Sequence, residues 1–426
     1  MPIYMMKTFT ILFIGIFLIG CATAKRNIRK TTQNTFTSAL YDNQFTGLLI
    51  LDPKSKDTLY AHNSKKYFTP ASNTKIFTLY AALQLLPDSI PALKYATKND
   101  TLFVEGTGDP SFLHSYFKDG TVKQFLSDYQ NIALDLNNFH DDKFGPGWSW
   151  GDYQFYYQPE RSAFPLYGNV VTLHNSNSLE VQPSYFSDSV VHINFPKNRE
   201  PEKNIFYYAK SRRDTVEIPY RTDAILTKNL LERELGKKIT LTQNIPEGKK
   251  TVLYSIPSDS MYKRMMVESD NFISEQLLIL ASSTLSDTLS GEKSILYVLE
   301  NYLSDLKQEP RWVDGSGLSR YNLFTPESMV DVLHRMYREI ENERLFNLFP
   351  VGGVSGTLEN WYDEGAKPYV YAKSGSLSNN YCLSGYLVTK SGKTLIFSFM
   401  NNHFRRPLSE VKKKMQRVLE FVRDIY

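Results

Sequence analysis

Serine and lysine residues at one fixed spacing are the side chains of this sequence best suited to covalent chemistry. Ser72 is followed three positions later by Lys75. On a helix, side chains three residues apart lie about 5–6 Å from each other between Cβ atoms, so an amine can reach the hydroxyl. A serine becomes a nucleophile when an adjacent base takes its proton. The pair is therefore a candidate nucleophile and base for acyl transfer.

The spacing alone is not specific, because the pattern S-x-x-K also begins at Ser115, Ser260, Ser290, Ser304 and Ser409. Only Ser72 precedes a long apolar stretch, for which we expect Thr69 to cap a helix and Pro70 to be its first residue. A serine in that first turn lets backbone N–H groups and the helix dipole stabilise an oxyanion. Lys75 must be neutral to act as the base, and burial beside a second cation, Lys373, would lower its pKa.

A second motif, Ser269-Asp270-Asn271, lies between two helical patterns at 260–267 and 272–281. A loop between helices can project the side chains of Ser269 and Asn271 into a cleft. Ser378-Asn379-Asn380 repeats the S-x-N pattern, but it lies too close to Lys373 to form a separate wall.

A third motif, Lys373-Ser374-Gly375, follows a strand-like segment at 369–372 and leads into Ser376. A strand there would present Lys373 and Ser374 to a substrate carboxylate, with the backbone N–H of Ser376 facing the reacting carbonyl. Lys390-Ser391-Gly392 repeats the pattern at a polar hairpin tip, where a simple turn is the better interpretation.

One motif is interpreted as a decoy. Gly147-Trp148-Ser149-Trp150-Gly151 matches G-x-S-x-G, the nucleophile elbow of α/β-hydrolases. That elbow needs an apolar strand before it and a helix after it. Charged and proline residues precede this segment, so we expect a loop.

The elements that must position these residues are a sheet built from both chain ends and covered by helices. Strand patterns at 47–51, 381–389 and 394–401 and a closing amphipathic helix at 409–426 support this arrangement. Residues 95–251 contain short strands between polar loops and predict a mostly β inserted domain. The catalytic domain would then comprise residues 39–94 and 252–426.

The first residues are interpreted as a targeting segment. Positive charge at Lys7 precedes a short apolar run that ends in Leu18-Ile19-Gly20-Cys21, similar to a bacterial lipobox. Residues 1–21 would then be a lipoprotein signal peptide ending at a lipidated Cys21, followed by a polar tether at 22–38. An ordinary secretion signal with a chance cysteine is the alternative. The anchor predicts a bacterial envelope protein, with the outer membrane facing the periplasm as the expected location.

Composition excludes several classes of function. The chain has 426 residues, of which 42% are apolar and 22% charged, as is typical of a globular protein. Its net charge of +4 is small for this length, and the sequence contains no basic stripe of the kind that binds nucleic acids. Seven histidines without an H-E-x-x-H pair and two cysteines do not predict a metal site. Neither a P-loop nor a dinucleotide motif occurs, so we expect no metal and no cofactor. If Cys21 is lipidated, Cys382 has no intramolecular disulfide partner.

Taken in order, the three motifs resemble those of the D-Ala-D-Ala carboxypeptidases of the penicillin-binding protein 4 type, the class C low-molecular-mass penicillin-binding proteins. The resemblance extends from about Gly47 to Asn402 through further segments: Gly106–Ser111, Pro146–Asp152, Asp314–Asn322 with Thr325-Pro326, Gly353–Leu358 and Ser384–Tyr386. It implies a penicilloyl-serine transferase fold of the α/β (α+β) class, with an antiparallel sheet flanked by helices and an insertion between the first two motifs.

The resemblance also implies roles in a reaction on peptidoglycan stem peptides ending in D-Ala-D-Ala, with β-lactams as covalent inhibitors. Ser72 would be the nucleophile and Lys75 its base, while Ser269 would relay a proton to the leaving D-alanine. Asn271 would bind the amide side of the substrate, and Lys373 with Ser374 would bind its terminal carboxylate. The backbone N–H groups of Ser72 and Ser376 would stabilise the oxyanion. Asp152, with Tyr157 beside it, would bind a free ammonium of the stem peptide. Arg320 is either a cleft residue or a structural contact in a glycine-rich turn.

Two departures from the family pattern are present. Ser374 replaces the usual threonine, which keeps the hydroxyl but removes a methyl group that fixes the rotamer. The stretch from Lys75 to Ser269 is short for the family, which affects substrate preference more than chemistry. We predict a serine D-Ala-D-Ala carboxypeptidase that could also cleave cross-links. A β-lactamase or esterase of the same fold and a catalytically silent wall-binding lipoprotein are the alternatives.

Overall fold

The computed structural model describes residues 23–38, 41, 43–363, 365 and 367–426. The predicted signal peptide and lipidation site at Cys21 lie outside these residues. Two compact units are present. Among the described residues, unit 1 contains those up to Ile76 together with Leu306–Arg311 and Asn322–Tyr426, and unit 2 contains Phe77–Asp305 and Trp312–Tyr321.

Unit 1 is built on a five-stranded antiparallel sheet with the order β13-β14-β15-β1-β2. Its strands are β1 Phe45–Asp52, β2 Asp57–His62, β13 Val370–Leu377, β14 Asn380–Val388 and β15 Thr394–Asn402. The order places strands from both chain ends side by side, as the sequence predicted. The predicted hairpin is present, because β14 pairs with β15 in register from Asn380↔Asn402 to Val388↔Thr394.

Helices cover this sheet because alternate strand residues are apolar on both faces. Leu395, Phe397 and Phe399 of β15 share a core with the apolar face of the closing helix. Ile396 and Met400, whose positions alternate with these along the strand, are also fully buried. The helices of unit 1 are α1 at 23–36, α8 Pro326–Glu339, α9 Asn342–Asn347 and α10 Leu408–Ile425. Thr325 caps α8 and Pro326 is its first residue. The predicted closing helix is confirmed as α10.

The segment expected to be a polar tether differs from that prediction. Residues 23–36 form helix α1, in which Ile28 is fully buried and Phe36 is 8% exposed. Both belong to the main core of unit 1. Polar side chains dominate this stretch of sequence, but its few apolar residues recur on one helix face, so the segment packs against the unit.

Unit 2 contains a five-stranded mixed sheet of order β11-β5-β4-β3-β12, a three-stranded sheet of order β10-β6-β7 and the pair β8-β9. The strands are β3 Ser89–Lys98, β4 Thr101–Gly106, β5 Asn131–Asp135, β6 Val170–Asn175, β7 Leu179–Gln182, β8 Val190–Val191, β9 Phe206–Tyr207, β10 Val216–Pro219, β11 Ile239–Leu241 and β12 Thr251–Pro257. In the mixed sheet β4 pairs parallel with β5, and β5 parallel with β11. The predicted strands near 101 and 131 are present, whereas that at 190–194 is only two residues long.

The helices of unit 2 are α3 Thr121–Ser127, α4 Ala224–Leu235, α5 Ser258–Val267, α6 Asn271–Leu285 and α7 Gly291–Asn301. Helices α5 and α6 match the patterns that flank the second motif. Helix α6 is buried on nearly all sides, with every residue from Phe272 to Ser283 inaccessible. That burial gives the second motif a rigid support.

The inserted domain predicted at 95–251 does not coincide with unit 2. Strands β3 and β12 lie across the predicted limits, and they pair with each other from Thr251↔Tyr95 to Pro257↔Ser89. The contact boundary falls between Ile76 and Phe77, inside helix α2 Lys75–Leu85. The inserted domain with those limits stays a prediction.

Within the described residues, we find no helix long and apolar enough to cross a membrane.

Candidate active site

The turn that carries Ser72 is a short 3₁₀ helix, η1 Ala71–Thr74, and α2 begins immediately after it at Lys75. The predicted cap was wrong in detail, since Pro70 occupies the N-cap position and no side chain caps the helix. Ala71 has a φ of +49°, which is uncommon for a residue with a side chain. This strained turn brings Lys75 Nζ to 3.1 Å from Ser72 Oγ.

Lys373 lies on β13 of the same unit and, like Lys75, has no exposed surface. Burial lowers the pKa of Lys373 well below its ordinary value, and the charge of Lys75 lowers it further. The two amines are therefore electrostatically coupled in a dry corner, where carrying two positive charges at once is costly. The sequence analysis predicted that burial and the charge of Lys373 would lower the pKa of Lys75. The structure shows a lowered pKa for Lys373 instead, and the shift of Lys75 stays a prediction.

Asn73 holds the nucleophile turn against β13, and sequence reasoning missed it. Its Nδ2 donates to the carbonyl oxygen of Lys373 at 2.5 Å, and its Oδ1 accepts from Ser384 Oγ at 3.2 Å. Ser384 Oγ also lies 2.8 Å from Ser398 Oγ, so the series of side-chain hydrogen bonds continues from β14 to β15. Asn73 is fully buried. The signal available in the sequence was the asparagine inside the first motif, directly after the serine.

Gly375 permits the close approach of β13 to that turn. A Cβ at this position would lie 2.5 Å from Pro70 O, 2.7 Å from Asn73 N and 2.8 Å from Ser72 N. These are backbone atoms that cannot move aside, so only glycine fits. The third motif therefore needs its glycine for packing rather than for a turn.

The remaining third-motif residues also lie on β13. Ser374 Oγ donates to Thr357 Oγ1 at 2.7 Å, and Thr357 belongs to the 3₁₀ turn η5 Gly356–Leu358. Ser374 is nearly buried, whereas Ser376 is exposed. Thr357 was noticed in the sequence only as part of the family resemblance, and the structure adds its contact with Ser374.

The second motif lies in unit 2. Asp270 caps α6 by accepting from Ile273 N at 3.0 Å, and Ser269 before it has a φ of +58°. Asn271 is the first residue of α6, and its Nδ2 donates to the carbonyl oxygen of Tyr157 at 3.0 Å. The cap and the left-handed serine form the sharp turn that the sequence motif predicted only as a loop.

Asp152 and Tyr157, expected to bind a substrate ammonium, lie together in the same unit. The pKa of Tyr157 is raised to about 12, mainly by burial, then by the charge of Asp152 and a hydrogen bond to its carboxylate. The contact between Asn271 and Tyr157 connects this pair to the second motif. The structure thus brings Asp152, Tyr157 and Asn271 together within unit 2.

The loop at 314–319 is organised by Asp314 rather than by Arg320, which is exposed. The carboxylate of Asp314 accepts from Gly317 N at 2.8 Å, Ser319 N at 2.7 Å and Trp148 Nε1 at 2.9 Å. The contact with Trp148 holds the G-x-S-x-G segment at 147–151 as a loop beside Asp314, so this segment is not a nucleophile elbow.

A buried ion cluster on α6 was also missed. Glu275 accepts from Ser316 N at 2.7 Å and lies 3.5 Å from Arg161, whose guanidinium also lies 3.6 Å from Asp141. The pKa of Glu275 is raised to about 7, first by burial and then by the charge of Asp314, while Arg161 acts in the opposite direction. A charged residue in a helix buried all round was the signal that could have identified it.

Among the described residues, no group of three or more histidine, cysteine, aspartate or glutamate side chains is placed to hold a metal ion.

Comparison with known proteins identifies the family. The profile of the D-Ala-D-Ala carboxypeptidase 3 (S13) family matches residues 31–197 and 209–422. The chain belongs to this family. The resemblance stated from the motifs is thereby confirmed, and the protein is a serine-type hydrolase of the D-Ala-D-Ala carboxypeptidase group.

Relatives of known name agree with this assignment. The chain is 24% identical to the D-alanyl-D-alanine carboxypeptidase DacB of Haemophilus influenzae, over 97% of both chains. It is 30% identical to the carboxypeptidase DacB of Mycolicibacterium smegmatis over 39% of each chain. The crystal structure of penicillin-binding protein 4 (dacB) from Haemophilus influenzae superposes with a TM-score of 0.71 at 21% identity, covering 92% of this chain and 98% of that one. This match confirms the predicted fold class.

Proposed function

We propose that this carboxypeptidase releases the terminal D-alanine of peptidoglycan stem peptides through an acyl-enzyme on Ser72. The observation that carries the proposal is the 3.1 Å contact between Ser72 Oγ and Lys75 Nζ in the buried corner that also contains Lys373. A neutral lysine amine at this distance can accept the hydroxyl proton directly. The lowered pKa of Lys373 indicates that this corner disfavours positive charge.

In the acylation step, Ser72 Oγ bonds to the carbonyl carbon of the penultimate D-alanine while its proton moves to Lys75. The C–N bond then breaks, and the leaving D-alanine amine takes a proton relayed through Ser269. Water attacks the ester in the second step, which releases the shortened peptide and returns the proton to Ser72. The N–H groups of Ser72 and Ser376 would stabilise the oxyanion in both steps.

Substrate recognition is assigned to six further residues. Lys373 and Ser374 would bind the terminal carboxylate, and Ser374 is oriented by its 2.7 Å contact with Thr357. Asn271 would bind the amide side of the substrate. Asp152 would bind a free ammonium of the stem peptide, with Tyr157 beside it, because a carboxylate held by a tyrosine hydroxyl is a directional acceptor for a cation. Arg320 is exposed and remains a candidate for the peptide's outer part.

Penicillin tests the nucleophile. We expect intact-mass analysis to show one covalent penicilloyl adduct on the wild type and none on Ser72→Ala. The matched control is Ser409→Ala, at a serine that shares the S-x-x-K spacing but lies at the start of α10. An adduct that persists on Ser72→Ala would refute the assignment. A wild type without an adduct would favour the silent binding protein.

Release of D-alanine from a stem pentapeptide tests the reaction. Slow loss of the penicilloyl group together with rapid D-alanine release fits the carboxypeptidase, whereas fast loss would fit a β-lactamase. Cleavage of cross-linked dimers in the same assay would add an endopeptidase activity.

For location, we infer an envelope protein anchored by lipid at Cys21, in the outer membrane facing the periplasm. The support is the lipobox-like sequence 18–21 and a peptidoglycan substrate, which is found in the envelope. Mass spectrometry of the mature N-terminal peptide tests the anchor. An unmodified cysteine, or a cleavage site elsewhere, would contradict it.

A further inference from the structure

Helix α1 is amphipathic, with one face fixed to unit 1. Ile28, Thr32 and Phe36 recur at i+4 spacing, and all three are buried. The helix is also tied to β2, because Tyr60 donates its hydroxyl hydrogen to Gln33 Oε1 at 3.0 Å. The adjoining face of α1 is therefore held in a defined orientation on the surface of unit 1.

That adjoining face is basic. Arg26, Arg29, Lys30 and Gln33 follow the i, i+3, i+4, i+7 pattern of a single helix face, and the three cations are exposed. Together with β2 they line a surface cavity of about 610 Å³, here called the basic pocket. Its lining residues are Arg26, Arg29, Lys30, Gln33, Thr58, Tyr60 and Ala61.

Within the part of the chain that the structure describes, no ion pair neutralises Arg26, Arg29 or Lys30. The nearby carboxylate of Asp57 instead pairs with Lys25 at 2.5 Å. The pocket thus presents three positive charges and is lined by no acidic side chain. Such a site favours an anionic ligand.

Covalent geometry places this pocket close to the proposed anchor. Arg26 follows Cys21 by five residues, and an extended chain spans at most about 3.6 Å per residue. The Cα atom of Arg26 is therefore within about 18 Å of an acylated Cys21, wherever the intervening residues run. This step rests on the lipid anchor proposed above. With lipid at Cys21, Arg26 is held within about 18 Å of the membrane surface, so the phospholipid headgroups are within reach of the basic pocket.

We propose that the basic pocket binds the phosphates of anionic phospholipid headgroups and fixes the orientation of unit 1 on its membrane. Basic residues close to an anionic surface each strengthen binding by about fivefold. Because α1 is packed into the core, headgroup binding would orient the whole unit rather than a loose tail. The lipid chain would provide attachment, and the basic pocket would provide orientation.

The test follows the reactivity of Lys30 in the mature protein reconstituted into vesicles. Vesicles of phosphatidylcholine alone are compared with vesicles containing about one third phosphatidylglycerol, and acetylation of each lysine is followed by peptide mass spectrometry. We expect Lys30 to react at least severalfold more slowly in the anionic vesicles at low salt, and this protection to disappear in high salt. Lys197, Lys238 and Lys249, all exposed on unit 2, should react equally in both.

The double variant Arg26→Gln/Arg29→Gln should lose most of the protection of Lys30, whereas the charge-matched control Lys197→Gln/Lys238→Gln should keep it. Equal reactivity of Lys30 in both vesicles would overturn the proposal. Protection by inorganic phosphate without vesicles would also overturn it, in favour of a soluble anion site. Failure of the anchor is seen separately, as an N-terminal peptide without acyl chains, and the pocket is then tested by binding of that protein to anionic vesicles.

Discussion

Two regions of this protein contain buried ionisable side chains, and they differ in the groups that compensate the charge. In unit 1, Lys75 and Lys373 are both inaccessible, and the charge of one lowers the pKa of the other. In unit 2, Glu275 is a buried carboxyl near Asp314, but Arg161 lies 3.5 Å away and Ser316 N donates to it. The first region brings like charges together beside a nucleophile, and the second surrounds its carboxylates with donors.

This difference matches two proposed roles, namely catalysis by a lysine in unit 1 and the positioning of loops by a carboxylate in unit 2. A lysine that must act as a base needs an environment that penalises its protonated form, and a nearby second cation in a dry site provides one. A carboxylate that organises loops needs N–H donors and a cation to keep its hydrogen bonds in place. Around Glu275 these groups offset burial and the charge of Asp314 only in part, because the pKa of Glu275 is still raised. Substitution of Lys75 in unit 1 should therefore abolish reactions with every substrate, whereas substitution of Asp152 in unit 2 should discriminate between substrates.

The largest effect is expected for Lys75→Met, which keeps the length and burial of the side chain but removes the base. We expect acylation by penicillin and release of D-alanine to fall together by about 10³-fold or more, because neither reaction can deprotonate Ser72. Rates of adduct formation from intact mass and of D-alanine release measure the two losses.

The control for this prediction is Lys412→Met, at the lysine of another S-x-x-K sequence, which lies at the start of α10. It should leave both rates unchanged. A Lys75→Met protein that still acylates at a comparable rate would remove Lys75 from the chemistry and weaken the contrast between the two regions.

The next largest effect is expected for Gly375→Ala. The added Cβ would lie 2.5 Å from Pro70 O and 2.8 Å from Ser72 N, so β13 and the nucleophile turn must separate. A displacement of this size should reduce acylation by about 10²-fold, because catalytic geometry tolerates little misplacement. Overpacking should also cost about 1–3 kcal/mol of unfolding free energy.

Gly392→Ala in the second K-S-G sequence is the matched control. A Cβ there meets nothing within 4 Å, although Gly392 has a φ of +82°. We expect a stability loss of about 1 kcal/mol from that conformation and no change in acylation. Equal loss of acylation in both variants would show that the effect is not specific to the close approach.

The features that could be predicted from the sequence are those that depend on residues close together in the chain. The hairpin, the closing helix and the helices around Ser269 follow from local periodicity, and the ordered motifs predict the reactive residues. The clamp by Asn73 joins residues 300 positions apart, and a strained turn at Ala71 has no glycine to signal it. The packing of α1 was hidden because a few apolar residues at helical spacing are easily outweighed by polar composition. Tertiary contacts determine each of these features.

A smaller and more selective effect is expected for Asp152→Asn. The variant keeps an oxygen acceptor beside Tyr157 but removes the negative charge, so binding of a substrate ammonium should weaken. We expect kcat/KM for a stem peptide with a free side-chain ammonium to fall by about 10- to 100-fold, with acylation by penicillin unchanged. A stem peptide whose ammonium is acetylated serves as the control, since its turnover should be the same in both proteins. Parallel loss on all three substrates would make Asp152 a structural residue.

The smallest effects, on stability against pH, compare the two regions directly. The folded state lowers the pKa of Lys373, so the unfolded chain binds more protons and stability rises with pH up to the unfolded value of about 10.4. Lys373→Met should therefore be more stable than the wild type near pH 7, with a weaker rise toward pH 9.5. The measurement is the free energy of unfolding from urea titrations at each pH.

Glu275 has the opposite sign. Its folded pKa is raised to about 7, so its protonated form favours the folded state and stability is lost as pH rises from about 4.5 through 7. Glu275→Gln keeps an acceptor for Ser316 N and should flatten that decline, by on the order of 1–3 kcal/mol between pH 5 and 7.5. The exposed Glu247→Gln should leave the profile unchanged. The two slopes differ in sign because Lys373 is a base and Glu275 an acid, although burial penalises the charged form of both. A Glu275→Gln protein whose stability still falls with pH as steeply as the wild type would contradict the raised pKa of Glu275. A Lys373→Met protein that keeps the full rise would likewise contradict the lowered pKa of Lys373, and with it the view that this corner disfavours positive charge.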